Sequence, residues 1–224
     1  MSIVDAVIPA RDEEQTVSSV VEACRACLYV REVIVVDDGS SDETAMWAAA
    51  AGAKVIRRDN GGSKAHAMEA GVEASDADAI LFVDADLLGL TSAHLDEICR
   101  PFVSGAAVMS LGCFDYGRLN GLVLLLPPTT GERIIPRWMF HAVPPSKRDG
   151  YTIEMMINEV VAEGRCATTA RIMRGVTHRT KRQKFGFLDG HRRTLRMFWE
   201  LISLSRVLRW RTYWFYLRRL TVEG

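Results

Sequence analysis

Short apolar runs alternate with segments of helical periodicity over the first hundred residues of the chain. Each run is bounded by charged or small polar residues, a pattern typical of strands buried on both faces. These predicted strands lie within residues 3–9, 31–38, 53–59 and 78–87. Helices are predicted between them at 13–28, at 42–51 and, after a glycine loop, within 60–75. This alternation predicts βαβ units and a mostly parallel sheet.

The second half of the chain has a less regular pattern. It predicts a strand within 106–114, an apolar element with a Pro-Pro and glycine loop within 121–140, a helix ending at Gly164 and a last strand within 165–180. Residues 188–220 have helical spacing. The predicted fold class is therefore α/β, a Rossmann-like sheet flanked by helices with a C-terminal helical appendage. We expect one domain over 1–187, with halves at 1–104 and 105–187, and a tail over 188–224.

Polar side chains follow three of the predicted strands. They are Arg11 with Glu13, Asp37 with Asp38, and Asp84 with Asp86. A single aspartate pair could be only a turn, because aspartate is a common turn residue. Repetition at three strand ends favours a binding crevice instead, since open α/β sheets bind ligands outside the carboxyl ends of their strands. Paired carboxylates there suit Mg²⁺ or Mn²⁺ together with a diphosphate.

Composition narrows the class of protein. The 224 residues include 28 basic and 28 acidic side chains, so the net charge gives no argument for nucleic acid binding. Five cysteines without framework spacing favour a reducing, cytoplasmic setting. Cys24 and Cys27 form a CxxC inside a predicted helix, where a buried helix face is favoured over a zinc or redox role. We expect no signal peptide and no apolar run near the ~20 residues that cross a bilayer.

Four motifs together resemble a known family. "VIPARDEE", "VIVVDDGSSDET", "NGGSKAHAMEAG" and "ILFVDADL", in this order, resemble the donor half of family 2 glycosyltransferases, which have the GT-A fold and a DXD motif. The segments "TGERIIPRWMF", "DGYTIEMMINEVV" and "GVTHRTK" are similar to the acceptor side of polyprenyl-phosphate glycosyltransferases and glucosyl-3-phosphoglycerate synthases. The resemblance implies a metal-dependent hexosyltransferase that uses a UDP- or GDP-sugar donor.

The resemblance also assigns donor-site roles by position. Asp86 would bind Mg²⁺ or Mn²⁺ directly, with Asp84 near the ribose or a metal-bound water. Lys64 would face the diphosphate or the sugar, as a lysine beside a glycine loop suits. The remaining residues would surround the base and ribose: Pro9, Ala10, Arg11, Glu13, Asp37 and Asp38.

Three further residues have both a functional and a structural interpretation. His178 follows an apolar strand and is either a polar strand end or, as in related transferases, a third metal ligand. Glu154, near the start of a helix, and Glu132 of "TGER" are the candidate general bases. The Glu-Asp pair usual in the family is missing around Glu154. Either glutamate could instead be a solvated helix end or pair with a neighbouring arginine.

The basic, aromatic tail bears on the acceptor. Its arginines and tryptophans at helical spacing suit a membrane interface, or alternatively a helix packed on the catalytic domain. Arg133, Arg137, Arg179 and Lys181 favour a phosphate-bearing acceptor such as polyprenyl phosphate, reached by peripheral association of 188–220 with the cytoplasmic membrane face. The alternatives are a soluble transferase with a small phosphorylated or hydroxylated acceptor, and a nucleotide-sugar-binding or nucleotidyltransferase-like module. The absence of glycine from "PARDEE" disfavours the last. A homodimer is left open.

Overall fold

The computed structural model describes residues 3–59, 61–117, 120, 130–148, 153–179 and 220–223. Its strands are β1 (Val4–Ala10), β2 (Val30–Asp37), β3 (Lys54–Arg57), β4 (Ala79–Phe82), β5 (Leu87–Leu88), β6 (Met109–Phe114), β7 (Arg133–Pro136), β8 (Thr168–Met173), β9 (Thr177–His178) and β10 (Leu220–Glu223). Its helices are α1 (Val17–Arg25), α2 (Thr44–Ala50), α3 (Lys64–Glu73), α4 (Ser92–Val103), α5 (Arg137–Ala142) and α6 (Ile153–Glu163), with a 3₁₀ turn at Pro145–Lys147.

One mixed sheet organises the described chain. Its strand order is β10-β8-β6-β7-β4-β1-β2-β3, and every neighbouring pair is parallel except those that β7 forms with β4 and β6. Helices α1 and α4 pack on one face of the sheet, and α3, α5 and α6 pack on the other. The predicted α/β class with a mostly parallel, helix-flanked sheet is confirmed.

The central strands have the composition that burial on both faces requires. Along β1, Ile8 packs with the α1 and α4 side of the core and Val7 with the α3 and α6 side. All four residues of β4 are buried. Such strands need apolar residues at every position, which is why they are continuous apolar runs in the sequence. The four predicted strands of the first half begin within one residue of the observed ones, and three of them end within two residues, but β4 ends at Phe82, five residues before the predicted limit.

Strand β7 was not predicted as a separate strand, because the sequence pattern gave only one apolar element with a loop within 121–140. Its four residues, Arg133–Pro136, run antiparallel between β4 and β6. The antiparallel direction brings the chain back from the carboxyl edge, where Glu132 lies, to the amino edge, where Arg137 begins α5. This reversal places the two predicted acceptor arginines of this segment in different surroundings.

The end of the chain differs from the predicted helical tail. Residues 220–223 form β10, which pairs with β8 as the edge strand of the main sheet. The predicted helices of 188–219 lie outside the described residues, so the boundary at 187/188 stays a prediction. In the described part of the chain, no helix has the length and apolar character needed to span a bilayer.

Candidate active site

The loops after β1 and β2 are joined by hydrogen bonds at the carboxyl edge of the sheet. Asp12 has a φ of +55° and accepts a hydrogen bond from the Ser41 backbone N–H at 2.8 Å. In return the Ser40 hydroxyl accepts one from the Asp12 N–H at 3.0 Å, and the Thr44 hydroxyl accepts one from the Glu13 N–H at 2.7 Å. These reciprocal contacts fix the wall of the crevice on this side.

The predicted base-binding residues line this wall with different exposures. Ala10 and Glu13 are buried, Pro9 is partly buried and Arg11 is exposed. The Ala10 carbonyl accepts a hydrogen bond from the Asp38 N–H at 2.8 Å, so the ends of β1 and β2 are level with each other. The structure therefore brings together the two motifs that the sequence assigned to one pocket.

The two aspartates at the end of β2 already have partners. The Asp37 carboxylate accepts a hydrogen bond from the Ser40 N–H at 3.0 Å and lies 3.4 Å from Arg57 Nε. The Asp38 carboxylate forms an ion pair with Arg58 and accepts a hydrogen bond from the Gly62 N–H at 2.8 Å. Arg58 was missed in the sequence, where its only signal was its position at the polar end of the third predicted strand.

Lys64 connects two carboxylates from distant parts of the chain. Its Nζ lies 2.6 Å from Asp84 Oδ1 and 2.9 Å from Glu154 Oε1. Burial opposes the lysine charge, but the two carboxylates outweigh burial and raise the pKa of Lys64 well above its usual range. Glu154 is only 3% exposed, so this ion-pair network closes the floor of the crevice.

Asp86 and His178 lie side by side because β5 pairs with β9. Leu87 is the antiparallel partner of His178, and the Asp86 carbonyl accepts a hydrogen bond from the Arg179 N–H at 2.9 Å. His178 Nδ1 is 3.6 Å from Asp86 Oδ1, and its ring packs on Phe114 with centroids 4.0 Å apart. Burial lowers the pKa of His178, but the Asp86 carboxylate more than compensates, and the net direction is upward.

Glu132 is a fully buried carboxyl on the same edge. Thr130 donates a hydrogen bond to its Oε2, while its Oε1 has no hydrogen-bond partner among the described residues. Burial, followed by the nearby Asp84 charge, raises the pKa of Glu132 to about 7. The adjacent Gly131 leaves room for Asp84, because a Cβ at Gly131 would overlap the Asp84 carboxylate.

The acids of this cluster outnumber its cations. Among the residues that the structure describes, four carboxyl groups, on Asp84, Asp86, Glu132 and Glu154, surround the ammonium of Lys64 and the imidazole of His178. Within the described ranges, no three acidic, histidine or cysteine side chains surround a common point. Asp86 and His178 nevertheless offer an oxygen and a nitrogen at about the spacing of neighbouring ligands on one ion, and Mg²⁺ commonly takes only one or two protein ligands beside substrate phosphates. The donor set fits a divalent cation.

The predicted acceptor residues do not form one group. Arg133 is fully buried and donates to the Glu154 carbonyl at 3.0 Å and to Asn158 Oδ1 at 3.1 Å, so its guanidinium is a support for α6. Arg137 lies at the amino edge of the sheet, where its N–H donates to the Asp78 carbonyl at 2.9 Å, on the opposite edge from Asp84. Assigning these two arginines to the acceptor was wrong. Arg179 adjoins Asp86, and Lys181 lies outside the described residues.

The family model named Glycosyl transferase family 2 matches residues 5–135, which include all four sequence motifs. The chain belongs to glycosyl transferase family 2. Among curated relatives, this family member is 37% identical over 110 residues to the glucosyl-3-phosphoglycerate synthase of Mycolicibacterium smegmatis, a match covering 45% of this chain and 36% of the relative. It is 38% identical over 101 residues to the 4,4'-diaponeurosporenoate glycosyltransferase of Staphylococcus aureus, with 43% and 27% covered.

Solved structures show the same fold for this family 2 chain. The glucosyl-3-phosphoglycerate synthase of Mycobacterium tuberculosis, in complex with Mg²⁺ and uridine diphosphate, superposes with a TM-score of 0.69. The match covers 80% of this chain and 72% of the other, at 24% sequence identity. The sequence matches to the curated synthases span less than two-fifths of their length. The resemblance to a family 2 glycosyltransferase with the GT-A fold, inferred from four motifs, is confirmed.

Proposed function

We propose that this chain transfers a hexosyl group from a nucleoside-diphosphate sugar to a phosphate-bearing acceptor, with Mg²⁺ or Mn²⁺ as cofactor. The observation that carries the proposal is the acid-rich cluster at the carboxyl edge of the sheet, whose members follow β4, precede β7 and lie in the first turn of α6. A crevice with four carboxyl groups repels a diphosphate unless a cation lies between them. The family membership supplies the reaction class.

Each residue of the cluster has a role that its contacts support. Asp86 and His178 would hold the cation, which stabilises the negative charge of the departing diphosphate when it is bound. Lys64 holds the Asp84 and Glu154 carboxylates at 2.6 Å and 2.9 Å and keeps both oriented toward the crevice. Phe114 packs on the His178 ring and limits its rotation.

The donor we propose is UDP-glucose. A glucosyl-3-phosphoglycerate synthase of M. tuberculosis was solved with Mn²⁺, uridine-diphosphate-glucose and phosphoglyceric acid, and it matches this chain with a TM-score of 0.68. On this chain the base would lie against the wall that carries Ala10 and Asp38. The Asp38 carboxylate is the acceptor best placed for a base N–H, and binding would exchange its contact with Arg58 or Gly62 for one with the base.

The acceptor we propose is a small phosphorylated acid of the phosphoglycerate type. Arg179 lies beside Asp86, and Lys181 follows two residues later in the sequence, so both cations are close along the chain to the metal ligands. Glu154 and Glu132 remain the candidate bases for the acceptor hydroxyl. Glu132 has the better suited pKa, since a general base is most effective when its pKa is near the working pH.

A polyprenyl phosphate is the second candidate acceptor. The observation in its favour is the tail at 188–220, where arginines alternate with tryptophans and tyrosines. Such segments bind anionic membrane surfaces, each basic residue adding roughly 1 kcal/mol of attraction that salt screens. If the acceptor is a polyprenyl phosphate reached through this tail, the protein binds vesicles containing anionic lipid at low salt and is released by high salt.

The test combines three donors with two acceptors. The protein is incubated with UDP-, GDP- or dTDP-glucose, with Mn²⁺ or Mg²⁺, and with either 3-phosphoglycerate or a polyprenyl phosphate in vesicles, and products are identified by mass. We expect a glucosylated phosphoglycerate from UDP-glucose only when the cation is present. A product on the lipid alone selects the second candidate. Donor binding without any transfer or hydrolysis would mean that the chain is a nucleotide-sugar-binding module and not a transferase.

A further inference from the structure

Three cysteines, from α1, the loop after it and α4, lie in the core on the α1 and α4 side of the sheet. Cys24 lies in the last turn of α1, Cys27 lies in the loop two residues after α1 ends, and Cys99 lies on α4; all three belong to one buried apolar cluster. The Leu28 N–H donates to Asp96 Oδ1 at 2.8 Å, which ties the loop after α1 to α4. Because residues three apart on a helix share a face, this contact also brings Cys99 toward Cys27.

The contact between the loop after α1 and helix α4 places the Cys27 and Cys99 side chains so that the two thiols interact. The interaction with Cys99 lowers the pKa of Cys27, and the Tyr29 backbone lowers it further, while burial and the Asp96 carboxylate oppose this shift. The same contact raises the pKa of Cys99, and burial raises that of Cys24. The reactive form of cysteine is the thiolate. Among these three cysteines, Cys27 alone has exposed surface and a lowered pKa, so it is the nucleophile of the cluster, and Cys99 is the thiol beside it.

Access to this pair is narrow and is limited to one side. Cys24 and Cys99 are fully buried, while Cys27 is 4% exposed next to Leu28, which is 81% exposed. A small oxidant can reach Cys27 where a bulky alkylating reagent is excluded. Cys113 and Cys166 are each partly exposed and serve as internal references for reagents that need open access.

We propose that Cys27 and Cys99 are a modification site, at which a peroxide joins α1 to α4 through a reversible disulfide. The Cys27 thiolate attacks hydrogen peroxide, so that the O–O bond breaks, Cys27 becomes a sulfenic acid and hydroxide leaves. The Cys99 sulfur then attacks the Cys27 sulfur, the S–S bond forms and the S–O bond breaks. The Cys99 proton and the departing hydroxyl form one water, and the proton that Cys27 released on ionising converts the first hydroxide into a second. Two thiols are thus oxidised and one peroxide is reduced.

The site is separate from the candidate active site. Helix α1 begins after β1 at the carboxyl edge and ends before β2 at the amino edge, so Cys27 lies at the end opposite Asp86. The disulfide would close a loop that contains β2, β3, β4 and most of the donor half. The proposal does not depend on the proposed glycosyl transfer.

Peptide mapping after peroxide treatment tests the proposal on the intact, natively folded protein. Trypsin cleaves after Arg25 and so separates Cys24 from Cys27. We expect the peptide 26–31 to be joined to the peptide that carries Cys99, and to be released by a thiol reductant. The joined species should be lost in Cys27→Ser and in Cys99→Ser, whereas Cys113→Ser and Cys24→Ser should retain it. Circular dichroism of each variant verifies that it is folded.

Two results would overturn the proposal. One is a wild-type protein in which Cys113 or Cys166 is oxidised while Cys27 and Cys99 stay reduced. The other is Cys27 oxidised to a sulfinic acid without a disulfide, which would mean that Cys99 cannot reach it. If Cys99→Ser fails to fold, the folded Cys99→Ala variant is used instead, and a small dione traps the Cys27 sulfenic acid after peroxide treatment. A Cys27 that stays unmodified in this variant contradicts the mechanism.

Discussion

Two aspartate pairs end two strands of the same sheet, yet they have opposite electrostatic surroundings. Asp37 and Asp38, after β2, have Arg57 and Arg58 as partners, so their charges are balanced within the protein. In the described part of the chain, Asp84 and Asp86, after β4, lie with two more carboxyl groups around Lys64 and His178. The first pair needs no ion for its stability, whereas the second leaves negative charge that a divalent cation would neutralise. Similar sequence patterns therefore have different chemistry.

The largest effect is expected at Asp86. Asp86→Asn keeps the size of the side chain but removes the charge that would hold the cation, so transfer should fall by about three orders of magnitude, on the order of 4 kcal/mol. The measurement is the rate of product formation at saturating Mn²⁺. Asp42→Asn, in the loop after β2, is the matched control and should keep most activity. Wild-type turnover in a folded Asp86→Asn protein would remove the metal role.

The buried Glu132 should give the protein a distinctive dependence of stability on pH. Its pKa is raised from an ordinary 4.5 to about 7, so the folded protein binds this proton more tightly than the unfolded chain does. The resulting contribution to the free energy of unfolding is fully present below pH 4.5 and is lost as the pH rises through 7. In metal-free buffer, the free energy of unfolding of the wild type should fall between pH 4.5 and pH 8 by about 3 kcal/mol more than that of Glu132→Gln. Denaturant titrations at the two pH values measure this, and parallel curves would contradict it.

A smaller loss is expected for His178→Ala. Removing one of two protein ligands should weaken Mn²⁺ binding about 10- to 100-fold, because the second ligand and the donor phosphates remain. Asp86 raises the pKa of His178, and a protonated imidazole cannot bind a metal. The affinity of the wild-type protein for Mn²⁺ should therefore also decrease as the pH falls. Metal titrations at two pH values test both points. His66→Ala, on the exposed side of α3, is the control, and equal affinity of the two variants would make His178 structural.

The smallest effect is expected at the balanced pair. Asp38→Asn should weaken nucleotide binding by only ~1–2 kcal/mol, because the base gains a charged partner but displaces Arg58 or Gly62 from it. Calorimetry with free UDP isolates this effect from the sugar and the acceptor. If Asp38→Asn and Asp86→Asn weakened the binding of UDP and Mn²⁺ equally, the electrostatic difference between the two aspartate pairs would have no functional consequence.

The donor half was predictable because local rules act there without conflict. Parallel strands buried on both faces must be apolar throughout, so their limits and their polar carboxyl ends are visible in the sequence. That pattern predicted the level positions of Ala10, Asp38 and Asp84. The sequence assigned Lys64 to the diphosphate or the sugar through the family resemblance, and its ion pairs with Asp84 and Glu154 are visible only in the structure.

The second half could not be predicted as well because its decisive contacts join distant residues. Nothing local distinguishes Arg133, which supports α6 from within the core, from Arg179, which adjoins Asp86. The short apolar run that forms β7 gave no signal of its direction, and that direction sends Arg137 to the wrong edge for an acceptor. The stacking of Phe114 on His178 likewise depends on the pairing of two strands in three dimensions.

The pairing of β5 with β9 also has a consequence for how activity arises during folding. The two candidate metal ligands, Asp86 and His178, are about ninety residues apart in sequence and are joined by a ladder of only two residue pairs. Contacts across so large a separation form late, since the entropy of closing the loop must be overcome first. A nascent chain ending in the first half would fold around its apolar strands but lack the imidazole. Its catalytic centre would therefore be completed only after synthesis has passed β9.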